Sequence, residues 1–386
     1  MRIIAVESSV VSLPFDMGGP YMRFAGKVWD RLEMLLVRVQ TDDGLTGWGE
    51  AFGHAGIAAT RVALDTIVAP LVVGREVGQS TSEIDTLAHD VLHATHLLGR
   101  NGSFVYAWSG IEIALWDLLG KRAGLPVYRL LGLSGGHAPG SLAAYASLLH
   151  YADLDTLAHN VRAASDAGFR HIKLHQTTRE AVLAAQHAVD GRDVRLMLDV
   201  NCAWDLPQAQ AMAQSLRDDN LLWLEEPVWP PEDVESLARV RACGIPVAAG
   251  ENAQGIHAFQ AMIQARAIDI AQPSVTKIGG ISAVMNIARL AARHGVSVIP
   301  HSPYFGPGFL ATLHIAAALT AVSSRPPIVE VLWMQMAANP FALWVTAQGG
   351  ALHVPSGPGL GCDPDADVLA QYQSGDVHRV TKGVGV

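Results

Sequence analysis

The chain has 386 residues, half of them hydrophobic, with a formal net charge of −9 and an isoelectric point near 5.9. That length accommodates one large barrel and a smaller domain with a sizeable core, and the acidic balance excludes the basic footprint that nucleic acid or an anionic membrane surface would require. Three cysteines, Cys202, Cys243 and Cys362, are odd in number and lack metal-type spacing, so they fit a reducing cytoplasm and neither a disulfide framework nor a structural zinc.

The N-terminus, Met1 to Glu7, alternates and carries charge too early for a signal peptide, and no apolar run approaches about 18 residues without interruption. A cytoplasmic protein without membrane contact is expected. Residues Ile3 to Leu13, Glu33 to Thr41 and Thr46 to Glu50 read as antiparallel strands, the last two joined by an Asp43-Gly44 hairpin turn. Between the first two lies the glycine-rich segment Asp16 to Gly26, read as a mobile loop carrying Tyr21, Arg23 and Phe24. From Thr60 to about Leu131 the pattern is helical. Its last helix shows apolar residues three and four apart and stops at Gly124-Leu125-Pro126. An α+β domain over residues 1–134 is therefore expected.

After a Gly135-Gly136 linker, strands and helices alternate, with strands near 142–147, 170–175, 194–199, 221–226, 245–250, 268–272, 296–300 and 328–332. Eight strands with seven intervening helices give an α/β fold, an incomplete TIM barrel of (β/α)7β type over residues 135–353. The Gly- and Pro-rich tail, 354–386, is expected to pack back on the first domain. Alanine-rich helical stretches such as Ile315 to Leu319 point to close helix packing and subunit contacts.

Within the barrel segment, 26 residues separate Asp199 from Glu225, and 26 separate Glu225 from Glu251. Each stands at the end of an apolar run followed by a helix-like stretch, so the interval is one strand plus one helix. Singly, each would read as a helix N-cap. Together, consecutive strand ends in a parallel barrel face one mouth, where three carboxylates repel one another unless a cation holds them. An all-oxygen set favours a hard divalent ion, Mg²⁺ before Ca²⁺ or Mn²⁺.

These carboxylates, in Asp199, Glu225-Glu226-Pro227 and Gly250-Glu251-Asn252, stand with Lys173-Leu-His175 before them and Gly279-Gly280 and His301 after them. With these residues the chain resembles the mandelate racemase subgroup of the enolase superfamily over nearly its whole length. The resemblance implies a capping domain that supplies specificity loops, a barrel that supplies acid and base groups, one Mg²⁺ per subunit, a small-molecule carboxylate substrate, and a dimer or octamer. Removing a proton α to a carboxylate gives an enediolate, and a cation beside its oxygens stabilises charge that develops only in the transition state.

By the same resemblance, Asp199, Glu225 and Glu251 are metal ligands and Glu226 is the non-ligand member of its pair. Lys173 and His175 occupy a position where many relatives carry Lys-x-Lys, and strand alternation lets both point inward; either is a candidate base. His301 is the acid/base of the opposite face. Relatives support that histidine with an Asp, but here Ser274 stands instead, which orients without supplying charge. Glu330 matches the carboxylate that meets the substrate carboxylate or enediolate, and Asn201 supports Asp199. Tyr21, Arg23 and His54 are candidate substrate contacts from the capping domain, each read first as packing or surface, as is Lys277 beyond Ser274. The expected activity is that of a Mg²⁺-dependent lyase dehydrating a sugar acid or hydroxy acid. A racemase or epimerase, and a member that has lost turnover and only binds, are the alternatives.

Overall fold

The computed structural model describes residues 1–24, 26–132, 140–321, 326–342 and 346–382. The N-terminal sheet is built on β1 (Ile3–Asp16), β2 (Arg31–Thr41) and β3 (Thr46–Ala51), antiparallel in that order. The C-terminal strand Gln373–Thr381 pairs antiparallel with the outer side of β1, so the tail returns to close the capping sheet. Helix α2 (Ser103–Ala123) covers it, and α1 (Thr81–Ala94) packs against α2. The alternating glycines of Thr46-Gly-Trp-Gly-Glu50 have a packing cause: a Cβ at Gly49 would lie 1.9 Å from the Gly110 carbonyl oxygen of α2. Helix and strand are thus in backbone contact.

Eight parallel strands follow: β4 (Ser141–Leu148), β5 (His171–His175), β6 (Arg195–Asp199), β7 (Leu224–Glu225), β8 (Val247–Ala249), β9 (Ile270–Ala271), β10 (Ser297–Val298) and β11 (Val329–Leu332). They pair in sequence from β4 to β10, and β11 pairs with β4. Among the described residues no ladder joins β10 to β11. That seam is bridged by Ser302, whose N–H donates to Glu330 Oε2 at 2.9 Å and whose hydroxyl donates to the Glu330 carbonyl at 3.3 Å. The connecting helices are α3 (Leu154–Asp166), α4 (Arg179–Ala188), α5 (Leu206–Leu216), α6 (Val234–Arg241), α7 (Gly255–Gln264), α8 (Ile281–Arg293) and α9 (Pro307–Leu319). Inside the barrel, Tyr145, Met197, Trp223, Ala248, Ile270 and Ile299 form a closed layer. Met197, Trp223 and Ile299 each precede a mouth residue (Asp199, Glu225, His301) by two, so strand alternation makes this layer the floor beneath the carboxylates.

The helix starts show how the two parts are joined. Helices α3 to α6 begin on side-chain caps from their own loops, Asp153, Thr178, Asp205 and Asp233. Helices α8 and α9 begin on glycine, and their free N–H groups are met by carboxylates of the capping domain instead. Glu112 accepts from Ile281 N at 2.7 Å and Ser282 N at 2.8 Å; Glu50 accepts from Gly308 N at 2.9 Å. Gly280 makes the first approach possible: its φ is +93°, and a Cβ there would lie 1.9 Å from Glu112 Oε2. Burial pushes both glutamates up to about 7 against the pull of these donors.

The Gly135-Gly136 linker, and with it the division set at 134/135, lies outside the described residues. The loop after β1 carries a two-stranded ribbon, Arg23–Phe24 with Lys27–Val28. The helical stretch His54–Val72 is long and apolar enough to cross a bilayer by length and composition. It is interrupted by the Arg61–Asp65 pair at 3.5 Å and buries Leu64, Val68 and Val72 in the core.

Candidate active site

The ends of β5 to β8 and β11, with the turns after β9 and β10, bring Lys173, His175, Asp199, Glu225, Glu251, Ser274, His301 and Glu330 to one mouth. Asp199, Glu225 and Glu251 each present a carboxylate oxygen, and these three atoms lie within 4.8 Å of one another. The Asn201 N–H donates to Asp199 Oδ1 at 2.9 Å, while Trp223 Nε1 donates to Glu225 Oε2 at 2.8 Å. Glu251 accepts from Asn252 Nδ2 at 3.3 Å on Oε1 and meets His301 Nε2 at 2.7 Å on Oε2.

Lys173 is fully buried, and its ammonium lies 2.8 Å from Glu225 Oε1, 2.8 Å from Glu330 Oε1 and 3.1 Å from Asp199 Oδ2. Burial alone would lower its pKa; the Glu225, Glu330 and Asp199 charges override that and raise it well above the ordinary lysine value. Three carboxylate oxygens thus surround one three-donor cation. Burial likewise works to raise Asp199 and Glu330, but Lys173, aided by His175 and His301 respectively, holds both below the usual carboxylate range. Glu225 goes the other way, raised by burial and by the neighbouring Asp199 charge. The adjacent Glu226 accepts from Gly250 N at 2.8 Å and is raised to about 8, chiefly by burial and then by Glu251.

The two histidines flank the carboxylates from different sides. His175 Nδ1 meets the Leu148 carbonyl at 2.5 Å. A carbonyl only accepts, so Nδ1 carries the hydrogen and the neutral ring keeps its lone pair on Nε2. That atom lies 3.1 Å from Asp199 Oδ2. Burial lowers the pKa of His175, and the charge of the neighbouring Asp199 outweighs this to leave it raised. His301 is set by Ser274, whose hydroxyl lies 3.1 Å from Nδ1, and Ser274 also contacts the Tyr304 hydroxyl.

The residues fit a hard divalent cation. Asp199 Oδ2 is buried and has no hydrogen-bond partner among the described residues, although the Lys173 ammonium and His175 Nε2 each lie 3.1 Å away. With one oxygen each from Glu225 and Glu251 it makes an all-oxygen cluster of like charges, the donor chemistry of Mg²⁺.

Of the other sequence candidates, Asn201 contributes its backbone N–H while its side chain is exposed. Tyr21 and Arg23 are not brought into contact with the carboxylate cluster. The Tyr21 hydroxyl donates to the Phe15 carbonyl at 2.8 Å, and Arg23 donates to the Gly26 carbonyl at 3.0 Å, both within the β1–β2 connection. His54 packs on Trp29, with ring centroids 5.0 Å apart, and lies 6.3 Å from Phe52. The sequence reading missed Tyr304, Tyr145 and Tyr106. Tyr304, three residues after His301, packs edge-on at 6.5 Å from it. Tyr145 faces Lys173 across 5.8 Å. Alternation along β4 was the one available signal for Tyr145; nothing local marks Tyr106, which reaches the site from α2.

Residues 156–368 match the enolase C-terminal domain-like family, and residues 13–132 match the mandelate racemase/muconate lactonizing enzyme N-terminal domain. The chain is 33% identical over 395 residues to D-galactarolactone cycloisomerase of Agrobacterium fabrum, covering 97% of this chain and 100% of that protein. It is 29% identical over 355 residues to arabinonate dehydratase of Saccharolobus solfataricus, covering 89% and 91%. The crystal structure of L-talarate dehydratase from Polaromonas sp. JS666 complexed with Mg and L-glucarate superimposes with a TM-score of 0.79 at 28% identity, covering 99% of each chain. The chain therefore belongs to the mandelate racemase/muconate lactonizing enzyme family of the enolase superfamily.

Proposed function

We propose that this protein removes the proton α to the carboxylate of a sugar acid and expels the oxygen on the β-carbon. The observation that carries this reading is the placement of two imidazoles on different flanks of the carboxylate cluster, His175 against Asp199 and His301 against Glu251.

Asp199, Glu225 and Glu251 would hold Mg²⁺, which when bound supplies positive charge for substrate carboxylate oxygens as they gain negative charge. His175 is the base. Its Nδ1–H is committed to Leu148, which fixes the ring and leaves Nε2 to accept the proton. Lys173 is a poor base, since deprotonation would leave Asp199, Glu225 and Glu330 facing one another without their cation. It serves as fixed positive charge, and Glu330, held by Ser302, orients it.

When the α C–H bond breaks, its electron pair is taken up by the carboxylate as an enediolate; the pair then returns to form the Cα–Cβ double bond as the Cβ–O bond opens. His301 gives its proton to the departing oxygen, and the resulting enol becomes a 2-keto acid. If the departing oxygen is a hydroxyl, water leaves and the reaction is a dehydration. If it is a ring oxygen, the ring opens with no loss of atoms and the reaction is a cycloisomerisation. The full-length likeness to a galactarolactone cycloisomerase favours keeping this second form beside the first.

His301→Asn should retain deuterium exchange at Cα in D₂O while losing 2-keto acid formation, because only the expulsion step needs its proton. Full product formation by this variant would refute the assignment.

A further inference from the structure

If His301 is the acid that serves the departing oxygen, its other nitrogen is constrained as well. Nε2 is the atom that faces the mouth, 2.7 Å from Glu251 Oε2, so the proton given away leaves from there. A neutral ring that has lost the Nε2 hydrogen keeps its remaining one on Nδ1. Nδ1 therefore needs a neighbour that accepts throughout the step. The atom in that place is Ser274 Oγ at 3.1 Å, and the backbones of Ser274 and His301 are bridged to each other.

A carboxylate only accepts, so an Asp at 274 would fill that place unaided. A hydroxyl carries a hydrogen as well as two lone pairs. Left without another acceptor, the Ser274 hydrogen turns onto Nδ1 and holds the ring in the opposite tautomer, from which the Nε2 hydrogen cannot leave without making an imidazolate. Ser274 can accept from Nδ1–H only if its own hydrogen is taken elsewhere.

Tyr304 is the group placed to take it. Its hydroxyl is in hydrogen-bond contact with Ser274 Oγ. The ring is held edge-on to His301 at 6.5 Å and edge-on to Phe52 at 6.5 Å, and the Tyr304 N–H donates to the Ser302 carbonyl at 2.8 Å. Ser274, Tyr304 and Thr276 are all buried, so the hydroxyls answer to one another rather than to bulk water. Burial raises the Tyr304 pKa against the pull of Ser274 and Thr276, and a phenol that keeps its proton must place it in turn. The Thr276 hydroxyl is buried and has no hydrogen-bond partner among the described residues, which leaves it open to receive that proton. The hydrogens then run one way, from Nδ1 to Ser274, from Ser274 to Tyr304 and from Tyr304 to Thr276.

We infer that Tyr304 is a positioning residue for the expulsion step: it takes the Ser274 hydrogen, so that Ser274 accepts from His301 Nδ1–H, and the two hydroxyls do together, without charge, what a carboxylate at 274 would do alone. This deepens the proposed function and rests on it for the role of His301.

The test has one arm that needs no substrate. Nitrogen-15 NMR of the Mg²⁺-loaded protein, with the His301 signals assigned by their loss in His301→Asn, reports which ring nitrogen carries the hydrogen. It should be Nδ1 in the unaltered protein, shift toward Nε2 in Tyr304→Phe, and return to Nδ1 in the double variant Tyr304→Phe/Ser274→Asp. In the second arm, a pooled set of sugar acids and lactones is followed in D₂O. The ratio of 2-keto acid formation to exchange at Cα should fall about 10- to 100-fold in Tyr304→Phe, the range of one hydrogen bond to a charged group, and recover in the double variant. A tautomer unchanged by Tyr304→Phe, or a hydrogen on Nε2 in the unaltered protein, overturns the inference. So does a loss in which exchange and product fall alike and Ser274→Asp restores neither, which would make Tyr304 a packing residue only. A tautomer that responds as expected in a protein that exchanges no α-hydrogen would leave the hydroxyl pair standing and refute the proposed chemistry instead.

Discussion

Replacing Lys173 with Met tests the electrostatic logic of the site in two directions at once. The substitution keeps the length of the chain but removes the single ammonium that faces Glu225 and Glu330 at 2.8 Å and Asp199 at 3.1 Å, with all four groups buried. At an effective dielectric of about 20, a contact of this length is worth roughly 5 kcal/mol before desolvation. Deleting one partner of a buried ion pair typically destabilises by about 3–5 kcal/mol, because uncompensated charge is left behind. In EDTA, urea denaturation of Lys173→Met should show a loss of that order. The second effect has the opposite sign. Lys173 lies against two of the three carboxylates that would hold a divalent cation, Asp199 and Glu225, so removing the lysine removes a repulsion and should tighten Mg²⁺ binding, measured by calorimetric titration. Saturation at 100 times the dissociation constant adds about 2.7 kcal/mol to any protein that binds only when folded. The variant should therefore recover more stability than the parent at equal Mg²⁺. Unchanged stability in EDTA, or weaker Mg²⁺ binding in the variant, would refute the reasoning.

The raised pKa of His175 makes a pH prediction. Its folded value lies above the unfolded one, so its contribution to stability is fully present below the unfolded value, about 6.5, and is lost as pH rises through the folded value. In metal-free protein its imidazole resonances should titrate above that reference, and Mg²⁺ should move the titration down by engaging Asp199. A titration that ignores Mg²⁺ would argue that the ion binds elsewhere. Glu112→Ala leaves Ile281 N, Ser282 N and Trp116 Nε1 without their shared acceptor, and should lower the unfolding free energy by about 2–5 kcal/mol in chemical denaturation. Gly280→Ala places a Cβ against the same carboxylate at a φ of +93° and should lower it by about 2–4 kcal/mol. Because both changes break one junction, the double variant should lose clearly less than the sum of the two; strict additivity would mean the junction is not shared.

The barrel and its carboxylates were legible because they repeat. One strand and one helix fill the interval between Asp199, Glu225 and Glu251, and the apolar runs before them could be placed to within a few residues of β6, β7 and β8. Local alternation likewise put Lys173 and His175 on one face of β5. What was not legible depends on contacts distant in sequence. The division of labour between Lys173 and His175 comes from Glu330, 157 positions beyond Lys173, and from the Leu148 carbonyl. Glu50 and Glu112 carry no sign, in their own strand and helix, that they cap α9 and α8. Tyr21 and Arg23 attracted notice as polar aromatic and cationic residues in a glycine-rich loop. Composition says nothing about direction there, and both contact their own loop. Lys277 lies three residues past Ser274, and the ring it meets, Phe52, comes from the capping domain.

Proton abstraction by His175 beside bound Mg²⁺ is tested by proton NMR in D₂O, with Mg²⁺ present, on a pooled set of sugar mono- and diacids and their lactones. At least one α-hydrogen signal should disappear as a 2-keto product appears, and both changes should vanish in EDTA and in His175→Ala. No loss across the set, or exchange that persists without Mg²⁺ or without His175, would contradict it.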